Sequence, residues 1–228
     1  MKSLTTRSAR HRAHGQIYST LLTSIINLGL APGTAISESE ISRKFDVSRT
    51  PVREAFLYLA REGLLDIIPQ KETRVSLIDT ARVKQELFIR ESLEIAALER
   101  FLPETNGLFF EKMERLIALQ KEAYKNKLYS DFINYDDLFH EALFEACGQR
   151  LSWKVIYNTC SHYHRIRMLS IRLTGIADEK AAQHWKILDA LKKNDMEEVK
   201  KMFHLHLHSL DEEETLLKKE FPDYFVSP

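Results

Sequence analysis

Nine residues, Val47-Ser48-Arg49-Thr50-Pro51-Val52-Arg53-Glu54-Ala55, constrain this chain more than any other stretch. Ser48 is a helix-starting residue whose hydroxyl can accept an orphan amide proton, and Pro51 falls in the first turn, where a missing N–H costs little. Val52, Ala55, Phe56 and Leu59 recur at helical spacing and can seat the helix on a core, leaving Arg49, Thr50 and Arg53 outside. Guanidinium groups one turn apart suit phosphates and guanine edges. The segment reads as a DNA-recognition helix.

Such a helix needs a brace, and the flanking sequence supplies one. Ile17, Leu21, Leu22, Ile25, Ile26 and Leu28 form an apolar stripe over residues 13–29, and Ala31-Pro32-Gly33 stops that helix. Ser37-Glu38-Ser39-Glu40 reads as a capped start for a second, shorter helix with Ile41 and Phe45 inward. Asp46-Val47 is then a tight turn into the recognition helix. After Gly63, residues 64–69 and 74–77 are short apolar segments joined through Gln70-Lys71-Glu72-Thr73, predicting a small two-stranded wing. The predicted unit is a winged helix-turn-helix domain over residues 13–77. Residues 1–12, with three arginines, one lysine and no apolar period, read as a flexible basic arm.

Pro32-Gly33, the Val47–Ala55 stretch, Glu62-Gly63-Leu64, and Pro69 with Val75 together resemble the N-terminal domain of the GntR family of bacterial transcription regulators. The resemblance covers roughly residues 10–77. It implies that Ser48, Arg49, Thr50 and Arg53 face operator DNA and that the wing tip near Lys71 enters the minor groove. Ser39 stands where some relatives place a basic contact. Glu72 stands where the wing usually has glycine, so a positive φ is expected there and a carboxylate would repel phosphate.

Charge distribution agrees with that division. Equal totals of 33 basic and 33 acidic residues conceal an asymmetry: residues 1–75 hold 11 Lys/Arg against 7 Asp/Glu, and the rest 22 against 26. No apolar run approaches the roughly 20 residues that span a bilayer, and two cysteines, Cys147 and Cys160, are too few for a disulfide framework. A cytoplasmic bacterial protein, on the nucleoid when bound to DNA, is expected.

From residue 78 to about 222 the pattern is all helical. Helices are expected near 80–101, 107–126, 129–147, 151–172, 177–192 and 195–219, forming an all-α bundle with room for a small pocket. The fold class is therefore mainly α, a winged domain followed by a helical-bundle effector domain.

Within the bundle, helical faces pick out a polar constellation. Asp136 and His140 fall on the apolar stripe of Phe132, Ile133, Phe139, Leu143 and Phe144, whereas Asp137, Glu141 and Glu145 fall on the wet face. His184 lies in line with Ile187, Leu188 and Leu191. In the last helix His206 shares a face with Val199, Met202, Phe203 and Leu210, while His204 and His208 share the opposite one. Three inward histidines and one inward aspartate suit a divalent metal, with zinc, nickel, manganese or iron favoured over calcium. Separately satisfied core histidines are the alternative.

Asp136-Asp137-Leu138-Phe139-His140, His184 followed by Ile187-Leu188-Asp189-Ala190, and His206-Leu207 resemble the FCD ligand-binding domain of the FadR-type branch of the same family, over roughly residues 80–215. That resemblance implies that Asp136, His140, His184 and His206 are metal ligands, zinc first among the candidates. It also directs Arg90 toward an effector pocket. From the sequence itself, Arg90 lies among apolar residues one turn from Glu94, so an internal ion pair is the competing reading. Residues 161–167 read as a polar face or dimer contact, with pocket lining as the alternative.

The combined expectation is a ligand-responsive, sequence-specific regulator, in the sense of a repressor, that binds a palindromic operator as a homodimer and senses a carboxylate metabolite beside a metal. It needs no membrane and no enzyme chemistry. Two other classes stay open at this level: a metal-dependent enzyme domain tethered to DNA, and an architectural DNA-binding protein with a structural metal.

Overall fold

The computed structural model describes residues 2–102, 107–173 and 175–227. They divide into two compact units, one comprising the residues up to Asp79 together with residues 221–227, the other Thr80–Glu220. No helix among the described residues is long and apolar enough to cross a membrane.

The first unit contains α1 (Lys2–Ile26), β1 (Ala35–Ile36), α2 (Glu38–Phe45), α3 (Arg49–Arg61), β2 (Leu65–Ile68) and β3 (Glu72–Val75). Ile17, Leu21 and Ile25 of α1 meet Val52, Ala55, Phe56 and Leu59 of α3, and Ile41, Leu64, Leu65 and Val75 complete the core. The helix α1 begins at Lys2 rather than at residue 13, so the backbone of the expected basic arm is helical. Residues 2–12 contain no proline or glycine and several strong helix formers, so nothing in them stops the helix. The start of α2 is built as predicted: the Ser37 hydroxyl accepts from the Glu40 amide at 3.2 Å and donates to the Glu40 carboxylate at 2.9 Å. Asp46, in the left-handed region at φ 50°, ends α2 and turns the chain into α3.

The wing has three strands, not two, in the antiparallel order β1-β3-β2. Two residues, Ala35 and Ile36, pair with Arg74 and Thr73, too short a run to show a period. The positive φ at the wing tip belongs to Gln70, at 58°, and not to Glu72. Pro69 at the second position, Gln70 at the third and a Lys71 amide donating to the Ile68 carbonyl at 3.1 Å make a type II turn. Glu72 instead lies in β3 opposite Ile68. Its carboxylate is held by Arg74 at 2.8 Å, so the charge expected to repel phosphate is already partnered.

The second unit is all helical among its described residues: α4 (Thr80–Leu98), α5 (Gly107–Lys125), α6 (Tyr129–Ala146), α7 (Arg150–Thr159), α8 (Ser161–Ser170), α9 (Ile176–Lys192) and α10 (Met196–Glu220). The single helix expected over 151–172 is broken at Cys160. The break has a partner outside its own segment, since the Glu86 carboxylate of α4 accepts from the Tyr163 amide at 2.8 Å and so caps the first turn of α8. All ten residues of α8 are buried. Its histidines and arginines are therefore internal, which corrects the reading of residues 161–167 as a polar face.

Candidate metal centre and DNA-reading face

Three helices bring the cluster together. Asp136 and His140 sit one turn apart on α6, His184 comes from α9 and His206 from α10, and all four are buried. His140 Nε2 and His184 Nε2 each lie 3.3 Å from His206 Nε2. The Asp136 carboxylate closes the group, with Oδ1 3.5 Å from His184 Nε2 and Oδ2 3.8 Å from His140 Nε2. The side chains predicted to converge do so.

The other ring nitrogens explain why they face this way. Each Nδ1 donates to an oxygen: His140 to Glu94 at 3.0 Å, His184 to Gln120 at 2.9 Å, His206 to Gln183 at 3.0 Å. Those acceptors fix the tautomers and leave Nε2 turned to the centre. Burial, only partly offset for His184 by Asp136, pushes His184 down to about 3 and His206 well below the ordinary imidazole range. Both are neutral near pH 7, so two Nε2 lone pairs face each other at 3.3 Å with no hydrogen to share. A cation between them removes that conflict. The spacing also fits one, because tetrahedral metal–nitrogen bonds of about 2.0–2.1 Å place neighbouring donors about 3.3 Å apart.

Around the cluster lies a shell of opposite charges. Burial alone would raise the Asp136 carboxyl, but the Arg167 guanidinium bonded to it holds it well below the ordinary carboxylate range. Arg167 bonds both Asp136 and Asp137, the latter at 2.8 Å. Asp137 is thus buried, not on the wet face where periodicity puts it. Arg90 donates from Nε to Glu94 at 2.7 Å and packs over the Tyr163 ring at 5.1 Å, so the expected internal pair exists. Its Nη2 is buried without a hydrogen-bond partner. The two readings of Arg90 are therefore compatible: one edge is structural and the other is unsatisfied.

A cavity of only about 20 Å³ touches the cluster, lined by Asp136, His206, Tyr163, Arg167 and Lys180 among others. It has room for about one water molecule. Lys180, bonded to the His206 carbonyl at 2.9 Å, is brought down to about 8, first by burial. Sequence reasoning missed Lys180, Gln120 and Gln183. Signals existed for two of them: Lys180 lies one turn before His184, and Gln120 interrupts the apolar stripe of Met113, Leu116 and Ile117.

In the first unit, Ser48, Arg49, Thr50 and Arg53 are exposed along one end of α3, and Lys71 is exposed at the wing turn. Ser48 precedes α3 in the extended conformation without making a side-chain cap hydrogen bond, which corrects the expected capping role. Its hydroxyl is left on the same exposed face as the arginines.

Fold and site together define a class: a winged helix-turn-helix protein with an all-helical domain built around a polar, metal-competent cluster. Residues 13–75 match the bacterial regulatory proteins of the gntR family, and residues 86–209 match the FCD domain. The chain belongs to the GntR family of bacterial regulators, in the branch with a C-terminal FCD domain, and is a transcriptional regulator, not an enzyme. It is 34% identical to the HTH-type transcriptional repressor RspR of Escherichia coli strain K12 over 92% of both chains. A Streptomyces ambofaciens HTH-type regulator is 30% identical over 92% of this chain and 89% of its own. The fold is shared with E. coli McbR/YncC, with a TM-score of 0.73 at 18% identity over 92% of this chain and 98% of that one.

Proposed function

We propose that this chain is a metal-containing, effector-responsive repressor that binds a palindromic operator as a homodimer on the bacterial nucleoid. The opposed lone pairs of His184 and His206, with Asp136 and His140 beside them, carry the metal part of this reading. Asp136, His140, His184 and His206 would hold the ion, zinc by donor set and spacing. When bound it supplies positive charge for a ligand oxygen.

An organic acid is the effector class that the surroundings favour. Arg167 and Lys180 line the cavity, and Arg90 Nη2 lacks a partner nearby. A carboxylate does not fit in about 20 Å³, so its entry requires Arg167 to leave Asp136 and Asp137 or Lys180 to swing aside. That exchange of ion-pair partners gives the bundle two arrangements for a ligand to bias. At the output end, Arg49, Thr50 and Arg53, with Ser48 and Lys71, read a half-site. One helix covers few base pairs, so a two-fold pair of them is needed.

The tight void and tetrahedral spacing favour a second reading, in which the ion is structural and no effector binds beside it. One experiment separates the two. Purified protein and its His206→Ala variant are compared for metal by elemental analysis, then for affinity to the protein's own promoter fragment with and without a panel of short carboxylic acids. The proposal expects one ion per chain to disappear in the variant, and an acid to change wild-type operator affinity by about 5- to 150-fold. Unchanged metal content refutes the site; metal present with no acid response leaves the structural reading.

A further inference from the structure

His204 and His208 lie one turn apart on α10, on the face away from His206, with side chains 60% and 33% exposed. Glu91 of α4 reaches both: Oε1 is 2.7 Å from His204 Nδ1 and Oε2 is 3.1 Å from His208 Nε2. The two imidazole rings are 4.3 Å apart, and one donor atom from each of the three residues lies within 4.8 Å of the others.

The rest of this seam shows what is unusual about its middle. Lys200 pairs with Glu99 at 3.4 Å toward one end, and Lys84 with Glu214 at 3.6 Å toward the other. An ammonium group there can only pair with its carboxylate. A neutral imidazole also coordinates, and two of them at i and i+4 facing one carboxylate make a two-histidine, one-carboxylate donor set. Such a set leaves at least one coordination position for water or another ligand, which exposure at the surface permits.

We infer that Glu91, His204 and His208 form a second divalent-metal site, for zinc or a neighbouring late transition ion, that staples α4 to α10 from outside. The same two helices carry Glu94, which holds His140 of the buried cluster, and His206 of that cluster, so an ion at the surface fixes the separation of elements that also support the inner cluster. Exposure makes the outer site the weaker of the two, because water competes for its donors at every step.

The test uses full-length protein stripped with chelator and titrated with Co²⁺, followed by its visible d–d absorption, with zinc uptake checked by dialysis and elemental analysis. Wild type takes up one ion per chain more than a double variant carrying His204→Ala and His208→Ala. Glu91→Gln, which keeps the side chain's shape, weakens that extra uptake by about tenfold or more. His206→Ala keeps the outer ion while losing the inner one. If the buried cluster takes no metal, wild type binds one ion and the double variant none, and the outer site still stands. The inference is overturned if the double variant, with unchanged circular dichroism, takes up as much cobalt and zinc as wild type.

Discussion

A histidine buried neutral makes stability depend on pH with a definite sign. Burial pushes His184 down to about 3 and His164 down to about 4, and lowers His206 well below 6.5. Unfolded, each binds a proton near pH 6.5. Between those limits the unfolded state holds more protons, so stability falls as pH drops, by up to about 1.4 kcal/mol per pH unit for each imidazole. Asp136 and Glu94, both held below the ordinary carboxylate range, add to the loss in the same direction at lower pH. Urea unfolding of chelator-treated protein should therefore show a midpoint that drops steadily from pH 7 to pH 5, and a flat profile over that interval would contradict the neutral assignment. Much of this cluster was legible from helical faces, which separated His206 from His204 and His208 and turned Asp136 inward. Asp137 was misread because the wheel assumes that one face is dry, whereas α8 buries a guanidinium against the other. No single-helix pattern contains that information.

Helix ends make a sharper test than helix middles, because each depends on one hydrogen bond. The Ser37 hydroxyl accepts the Glu40 amide, so Ser37→Ala should cost about 1 kcal/mol in chemical denaturation. Ser48 makes no such bond, and Ser48→Ala should stay within about 0.5 kcal/mol. Equal losses would mean that the two starts are built alike. Arg49, exposed at the first position of α3, predicts the converse pattern. Arg49→Ala should leave the unfolding midpoint in place and weaken specific operator binding by about 1–3 kcal/mol, measured by fluorescence anisotropy against a scrambled duplex. Unchanged discrimination between the duplexes would remove Arg49 from base reading. The cores of most elements were readable from apolar spacing and from Gly, Pro and Ser punctuation. Two features escaped because they are held from elsewhere in the chain, the α7–α8 break by Glu86 and the strand β1 by β3; the wing turn escaped because Gln70, not Glu72, adopts the conformation expected for a glycine.

At the scale of the molecule, the chain passes between its two units twice, at Asp79–Thr80 and again at Glu220–Phe221. The second passage has a mechanical consequence, because the residues after α10 are tied to the segment that precedes α4. Ile78 donates to the Tyr224 carbonyl at 2.8 Å and accepts from the Val226 amide at 3.0 Å, and Phe225 between them is 5% exposed. The strap thus gives the end of α10, the helix that carries His206, a second covalent connection to the first unit beside the linker at Asp79–Thr80. Phe225→Ala should therefore act on two observables. Loss of a buried aromatic side chain costs about 3–5 kcal/mol, and the cost falls on the first unit, to which the strap belongs. Calorimetry should show the transition of that unit shifted down while the transition of the α4–α10 bundle stays where it is. If an acid changes operator affinity of the wild type as proposed and the strap also transmits, that acid should act less on the variant, at a temperature where both are folded. A variant with an unaltered thermogram and the full acid response would show that the linker alone joins input to output.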